Sequence, residues 1–377
     1  NRKTDTNEID SRKQPLWYSG RYFDYPLFGI VLGLVLFGLV MVYSTSSYRA
    51  DELYGDSTYF AKRQLVFELV ALVGMFLVSK IDYRRYARYS KYFLYVAIAL
   101  LVLVYIIGSA SHGSTRWIYI GAFGFQPSEF AKLALIVYTA DICTRKPRSL
   151  NTIKGLAKML LLPLITIVLI AIENLSTAII CFGIVMIIVF VASPKNWHFI
   201  LMGVLGILMC VVFIATAGYR ADRIRIWLAP EKYDDGYQTM QSLYAIGSGG
   251  FFGRGLGNSI QKMGFIPESH NDMIFSVICE ELGLFGAVLT IIMFILLIYR
   301  CTVLAINSGD RFGGLIAVGV MAHIAVQVLI NISVVTNTIP PTGVPLPFIS
   351  YGGSSIFFLL LEMGLMFAVA RQIKPGR

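Results

Sequence analysis

A chain of 377 residues that is 56% hydrophobic and only 14% charged carries more apolar surface than a single soluble core can hide, so a bilayer must act as part of its solvent. The net charge of +10 does not mark a nucleic-acid binder, because the basic residues are scattered between apolar runs rather than gathered on a polar domain. Five cysteines (Cys143, Cys181, Cys210, Cys279 and Cys301), odd in number, all within apolar runs and without metal-ligand spacing, predict neither a disulfide nor a structural zinc.

Apolar runs long enough to cross a ~30 Å hydrocarbon core predict an all-α membrane protein of about ten transmembrane helices. In chain order they cover Pro26 to Ser46, Leu65 to Ser79, Tyr92 to Ser109, Phe130 to Cys143, Met159 to Ile172, Ala178 to Val191, Phe199 to Ala217, Met273 to Tyr299, Gly313 to Val335 and Ile349 to Val369. The first follows a polar tail and is long for a signal sequence, so it reads as a retained span. The domain plan is a tail, 1–25, one polytopic membrane domain, 26–372, and a short tail, 373–377.

Orientation follows from lysine and arginine in the short connections. The N-terminal tail (Arg2, Lys3, Arg12, Lys13, Arg21), the loop with Lys80, Arg84, Arg85, Arg88 and Lys91, and the loop with Arg145, Lys146, Arg148 and Lys154 are basic. These predict the cytoplasmic side. Alternate connections lack net positive charge: 49–63 is balanced by Asp51, Glu52 and Asp56, the fifth is Glu173 and Asn174, and 336–348 has no charge. Both termini are then cytoplasmic. The same alternation puts the long connection between spans 7 and 8, residues 218–272, outside, and a connection of that length in a compact domain is usually functional. Within it, Gln238 to Ile246 is an amphipathic stretch between glycine breaks, expected to form a short interfacial helix.

The densest chemistry is Pro267-Glu268-Ser269-His270-Asn271-Asp272, running straight into an apolar helix. Asp272 reads either as a helix cap worth about 1 kcal/mol or as a base at the membrane interface. A second group, Gln126-Pro127-Ser128-Glu129-Phe130-Ala131-Lys132, opens the fourth span. Glu129 and Lys132 share a helix face, either as an ion pair closing the bundle or as groups ordering an outer cavity. Arg116 beside Trp117 lies in the preceding outward loop, 112–125, and its guanidinium fork suits a pyrophosphate. Tandem Glu280 and Glu281 lie inside the eighth span; at least one should face a polar cavity or a partner such as His323. His323 and Gln327 themselves read as interhelical hydrogen-bonders. The stretch from Pro340 to Ser355, rich in proline and glycine and uncharged, reads as a rigid structural hairpin. No nucleotide-binding or zinc-hydrolase motif is present, so no nucleotide or organic cofactor is expected.

These blocks resemble the SEDS family (FtsW, RodA, SpoVE), and the resemblance runs from Phe23-Asp24-Tyr25 to the SYGGSS at 350–355. Its specific pieces are Arg116-Trp117, QPSEFAK at 126–132, GYQTMQS at 236–242, GLGNSIQK at 255–262, PESHND at 267–272 and EELG at 280–283. The resemblance implies a peptidoglycan glycosyltransferase that polymerises lipid II on the outer face of the bacterial cytoplasmic membrane. Asp272 is implied as the catalytic residue, drawing the proton from the acceptor 4-hydroxyl with the aid of Mg2+ or Mn2+. Arg116, Glu129, Lys132, Arg254, Lys262, Glu268 and His270 are implied as substrate-binding, the cations balancing charge on the departing undecaprenyl pyrophosphate. A class B penicillin-binding protein is the implied partner, and the GLGNSIQK block is closer to FtsW and SpoVE than to RodA. The sequence departs from the family at Asn271, where threonine is frequent, and at the fifth outer turn, Glu173 to Thr177, which lacks an aspartate. The competing classes are a lipid II flippase, which asks for charges along both halves of a pathway, and a division scaffold, which leaves the acidic block at 267–272 without a purpose.

Overall fold

The computed structural model describes residues 23–107, 109–111, 114–120, 123–195, 197–215, 218–267 and 269–373. The N-terminal tail, the last four residues and Glu268 lie outside the described residues. Twelve α-helices follow in order among them: α1 (Tyr25–Tyr54), α2 (Tyr59–Lys80), α3 (Arg84–Ile107), α4 (Pro127–Arg145), α5 (Ile153–Glu173), α6 (Leu175–Ala192), α7 (Trp197–Ala215), α8 (Gly218–Leu228), α9 (Tyr237–Ser248), α10 (Ile274–Ile306), α11 (Arg311–Val335) and α12 (Gly353–Ala370). Seven of them, α1, α3, α5, α6, α10, α11 and α12, are long and apolar enough to cross a membrane. Predicted spans two, four and seven coincide with α2, α4 and α7.

Several helix ends carry the capping chemistry expected of their sequences. Asp24 accepts from Leu27 N at 2.9 Å with Pro26 in the first turn of α1, Thr152 caps α5, Asn174 caps α6 and Asp310 caps α11. Each aims a side-chain oxygen at an amide that has no partner within its helix. Asp24 also pairs with Arg300 of α10 at 2.8 Å, which ties the start of α1 to the far end of a helix remote in sequence. α11 and α12 sit at the centre, with 67% and 78% of their apolar windows buried, whereas α3 is peripheral at 28%.

Two features differ from the sequence expectation, and a third meets it. The predicted outward loop before α4 contains an antiparallel three-stranded sheet, β1 (Ser109–Ser111), β2 (Ser114–Ile120) and β3 (Phe123–Phe125), so the fold is helical with one small sheet attached. The amphipathic stretch in the long connection forms α9 as expected, with α8 preceding it. The eighth predicted span is α10, and it is broken at Gly283 (φ 66°, ψ −164°).

The break in α10 has a complete hydrogen-bond account. In an unbroken helix Leu284 N and Phe285 N bond to Glu280 O and Glu281 O. Here those carbonyls accept from Arg254 N and Gly255 N, both at 2.9 Å, while Leu284 N donates to Gly250 O at 2.9 Å and Phe285 N to Phe251 O at 3.0 Å. Segment 250–255 therefore replaces the bonds lost at the break, as a buried backbone requires. A Cβ on Gly283 would lie 2.3 Å from Gly253 N, so only glycine permits both the backbone angle and the close approach.

Candidate active site

Asp272 precedes α10 at the point where the long connection meets the bundle. The N-cap of α10 is Met273, with no side-chain cap bond, so Asp272 does not hold the classical capping position that its sequence setting suggested. Its backbone is fixed from the opposite side of the site: Asn331 of α11 donates from Nδ2 to Asp272 O at 2.7 Å and to Val344 O at 2.8 Å. Ser350 donates to Asn271 O at 2.6 Å and Tyr351 N donates to His270 O at 2.9 Å. The Asp272 side chain is partly exposed, and a Cβ built on Gly343 would stand 3.8 Å from its Oδ2. The segment from Pro340 to Ser355, read from sequence as structural only, thus forms a wall of the site.

Asn331 is the last rung of a polar ladder on one face of α11, with Gln327 and His323 one and two turns below. Gln327 donates to Pro345 O at 3.0 Å and accepts from Lys132 Nζ at 3.3 Å; His323 contacts Gln327 Oε1 at 2.8 Å and Glu362 of α12 at 2.7 Å. Lys132 in turn pairs with Glu129 at 2.9 Å, both almost wholly buried. One helix face thereby holds the backbone of Asp272 and the ammonium of Lys132 about one turn, or ~6 Å of axial rise, apart. The Glu129–Lys132 pair takes the ion-pair form inside the bundle.

Arg116, on β2, is half-buried and donates to Glu173 O at 2.9 Å. With Gln126, Pro127, Ser128, Glu173 and Asn174 it walls a small cavity beside the start of α4. At the turn 173–174, which lacks an aspartate, a main-chain carbonyl accepts the bond from Arg116.

The remaining site candidates are placed otherwise. Lys262 is buried in an ion pair with Glu281 at 2.7 Å and also donates to Ser44 Oγ at 3.1 Å. Arg254 lies 3.7 Å from Glu280, whose carboxylate also accepts from Ser259 Oγ, from Ile260 N at 3.0 Å and from Gln261 N at 3.3 Å. Lys262 is thereby held in the interior beside Glu281, a carboxylate that needs compensation when buried, while Arg254 lies at the edge of the loop with its side chain 37% exposed. His323 accordingly partners Glu362 rather than the tandem glutamates. His270 is 5% exposed and packs against Phe60 at 4.9 Å and Tyr351 at 5.6 Å. Burial, aided by the Arg49 guanidinium, pushes its pKa down to about 4, so the ring is neutral near pH 7 and does not offer a cation to substrate. Among the described residues no group of three His, Cys, Asp or Glu side chains is arranged to hold a metal. A single carboxylate still fits a magnesium-type ion, which retains waters and takes its other ligands from substrate phosphates.

Comparison with known proteins places the chain in a family. The FtsW/RodA/SpoVE family, described as cell cycle proteins, matches residues 25–375. The chain belongs to this family. It is 40% identical to stage V sporulation protein E of Bacillus subtilis over 348 residues, covering 91% of this chain and 95% of the relative. It is 37% identical to the probable peptidoglycan glycosyltransferase FtsW of Trichlorobacter lovleyi, covering 93% and 94%. Among solved structures, a chain from a peptidoglycan synthase complex studied for coordinated polymerisation and crosslinking superposes with a TM-score of 0.78 at 26% identity, covering 94% of this chain and all of that one. The rod shape determining protein RodA of Thermus thermophilus superposes at 0.70 and 26% identity, covering 94% and 99%.

Proposed function

We propose that this FtsW/RodA/SpoVE protein is a peptidoglycan glycosyltransferase that polymerises lipid II, with Asp272 as its general base. The observation that carries the reading is the clamp on Asp272: its main chain is fixed by Asn331 and the residue, beside Gly343, is partly exposed. In the proposed reaction Asp272 removes the proton from the acceptor 4-hydroxyl, whose oxygen attacks the donor anomeric carbon as the bond to undecaprenyl pyrophosphate breaks. A positioned base typically contributes 10²- to 10⁴-fold. Lys132 and Arg116, near the start of α4, balance the charge that grows on the leaving pyrophosphate. Glu129 keeps the Lys132 ammonium in place. Bound Mg2+ or Mn2+, held by Asp272 and substrate phosphates, would supply further charge neutralisation.

In this reading α2, α4 and α7 complete ten spans, both termini are cytoplasmic, and the site opens at the outer face of the cytoplasmic membrane, where lipid II presents its sugar. The charged sequences of α2 and α4 fit a span whose ionisable groups face the bundle, as Glu68, Glu129, Lys132 and Asp141 do by their burial. The partner is a class B penicillin-binding protein, and the 40% identity to a sporulation protein and 37% to an FtsW favours septal over elongation synthesis. The test is conversion of lipid II to polymer by the purified protein with its transpeptidase. Asp272→Asn is expected to retain fold and partner binding yet form less than a hundredth of the wild-type polymer. Polymer at the wild-type rate would remove Asp272 from the chemistry.

A further inference from the structure

At the end of the bundle opposite Asp272 lies a cavity of about 420 Å³, walled by Pro147, Arg148, Asn151, the last turn of α6 with Ser193 and Pro194, and Arg311. Arg311 opens α11, and Asn331, which holds Asp272, stands twenty residues further along it, so the two sites lie about 30 Å apart along that helix. No acidic side chain lines the cavity. The adjacent carboxylate, Asp310, is turned to the other side, where it binds Arg84 at 2.7 Å, Tyr83 at 2.9 Å and Gly313 N at 2.8 Å. Lys195 reinforces the rim by donating to Asn151 O at 3.1 Å. Arg311 donates one N–H to Ala192 O at 2.6 Å and lines the cavity, with a fork that carries five donors in all.

The cavity also opens onto an apolar wall. Val191 and Phe190 at the end of α6 and Trp197 and Phe199 at the start of α7 are substantially exposed, and the Phe190 and Phe199 rings pack at 4.8 Å. An exposed tryptophan close in sequence to exposed apolar residues and to a basic pocket fits the level of a membrane interface. A soluble anion would use the arginines but not the wall. A lipid uses both.

We propose that this cavity binds the phosphate headgroup of an anionic glycerophospholipid, seated between Arg148 and Arg311 with its acyl chains along Phe190 and Val191. A volume of 420 Å³ accommodates a phosphoglycerol headgroup, and basic pockets between transmembrane helices recognise such groups through charge and bidentate hydrogen bonds. Assignment to the cytoplasmic leaflet rests on the orientation proposed above; the binding itself does not.

The experiment is native mass spectrometry of the full chain in detergent, titrated in separate arms with phosphatidylglycerol, phosphatidylcholine and inorganic phosphate. One phosphatidylglycerol is expected to bind in preference to phosphatidylcholine. Arg148→Gln should weaken it about fivefold, and Arg148→Gln with Arg311→Gln about twentyfold. Lys80→Gln, which removes an exposed charge at the same end outside the cavity, is expected to leave the affinity unchanged. Should the double variant fail to fold, Arg148→Gln alone decides, since Arg148 makes no contact with α6 comparable to the Arg311–Ala192 bond. Equal weakening by Lys80→Gln would show diffuse attraction and overturn the site. Tighter binding of inorganic phosphate than of phosphatidylglycerol would overturn the lipid. Neither outcome bears on polymerase activity, so failure here is distinguishable from failure of the proposed function.

Discussion

Removing the Lys262 ammonium tests whether this residue serves the loop or the substrate. Its side chain is 4% exposed and its Nζ stands 2.7 Å from Oε1 of Glu281, whose side chain is 0% exposed. Lys262→Met leaves that carboxylate with the Ser44 hydroxyl and Ser259 N at 3.4 Å but with no countercharge. A buried charge stripped of its partner costs about 3–5 kcal/mol, whereas replacing both members by apolar groups of similar volume is close to neutral. Lys262→Met and Glu281→Met are therefore each expected to destabilise by about 3–5 kcal/mol, and the double variant by under about 1 kcal/mol. Unfolding of the purified protein in detergent gives the stabilities, and lipid II polymerisation by the same samples gives the activities. The double variant should recover activity along with stability. A Lys262→Met protein within 1 kcal/mol of wild type, or a stable double variant that makes no polymer, would refute the assignment of Lys262 to the loop and return it to the substrate.

Gly283→Ala should destabilise by more than about 3 kcal/mol, because it combines a glycine-only backbone angle with a Cβ 2.3 Å from Gly253 N; proteolysis within 249–262 reports the released segment. Asn331→Leu removes the donor shared by Asp272 O and Val344 O and should lower the polymerisation rate by one to two orders of magnitude while partner binding persists, in keeping with the cost of misplacing a catalytic group. His270 has a folded pKa of about 4 against 6.5 for the free side chain, so between these values the unfolded chain holds a proton that the native protein does not. Stability is then full above about pH 6.5 and falls by up to about 3 kcal/mol as the pH drops to 4, a slope that His270→Phe should flatten in pH-dependent unfolding.

Much of the site was legible because it is locally dense. The carboxylate at Asp272 stands out where a polar block meets an apolar run, and Glu129 and Lys132 advertise themselves by being ionisable at the mouth of a span. The ladder of His323, Gln327 and Asn331 left a weaker signal, polar residues at four-residue spacing on an otherwise apolar helix. The first two read from it as interhelical hydrogen-bonders, whereas Asn331, the one that holds Asp272, is singled out only by its contacts. The role of the Pro340–Ser355 segment left no such trace, since a turn of prolines and glycines looks the same whether it caps a bundle or roofs an active site.

Hydropathy and charge, read along the chain, determined that this is a helical membrane protein, which ends of its helices carry charge, and where reactive groups gather. They do so because burial in lipid and helix capping act on neighbours in sequence. Which charged groups pair with which was decided by contacts such as Ser44 with Glu281, 237 residues apart, and Asp24 with Arg300, 276 apart. A lysine beside a glutamate across a fold leaves no imprint on local periodicity. Its function depends on a distance that only the packed helices define.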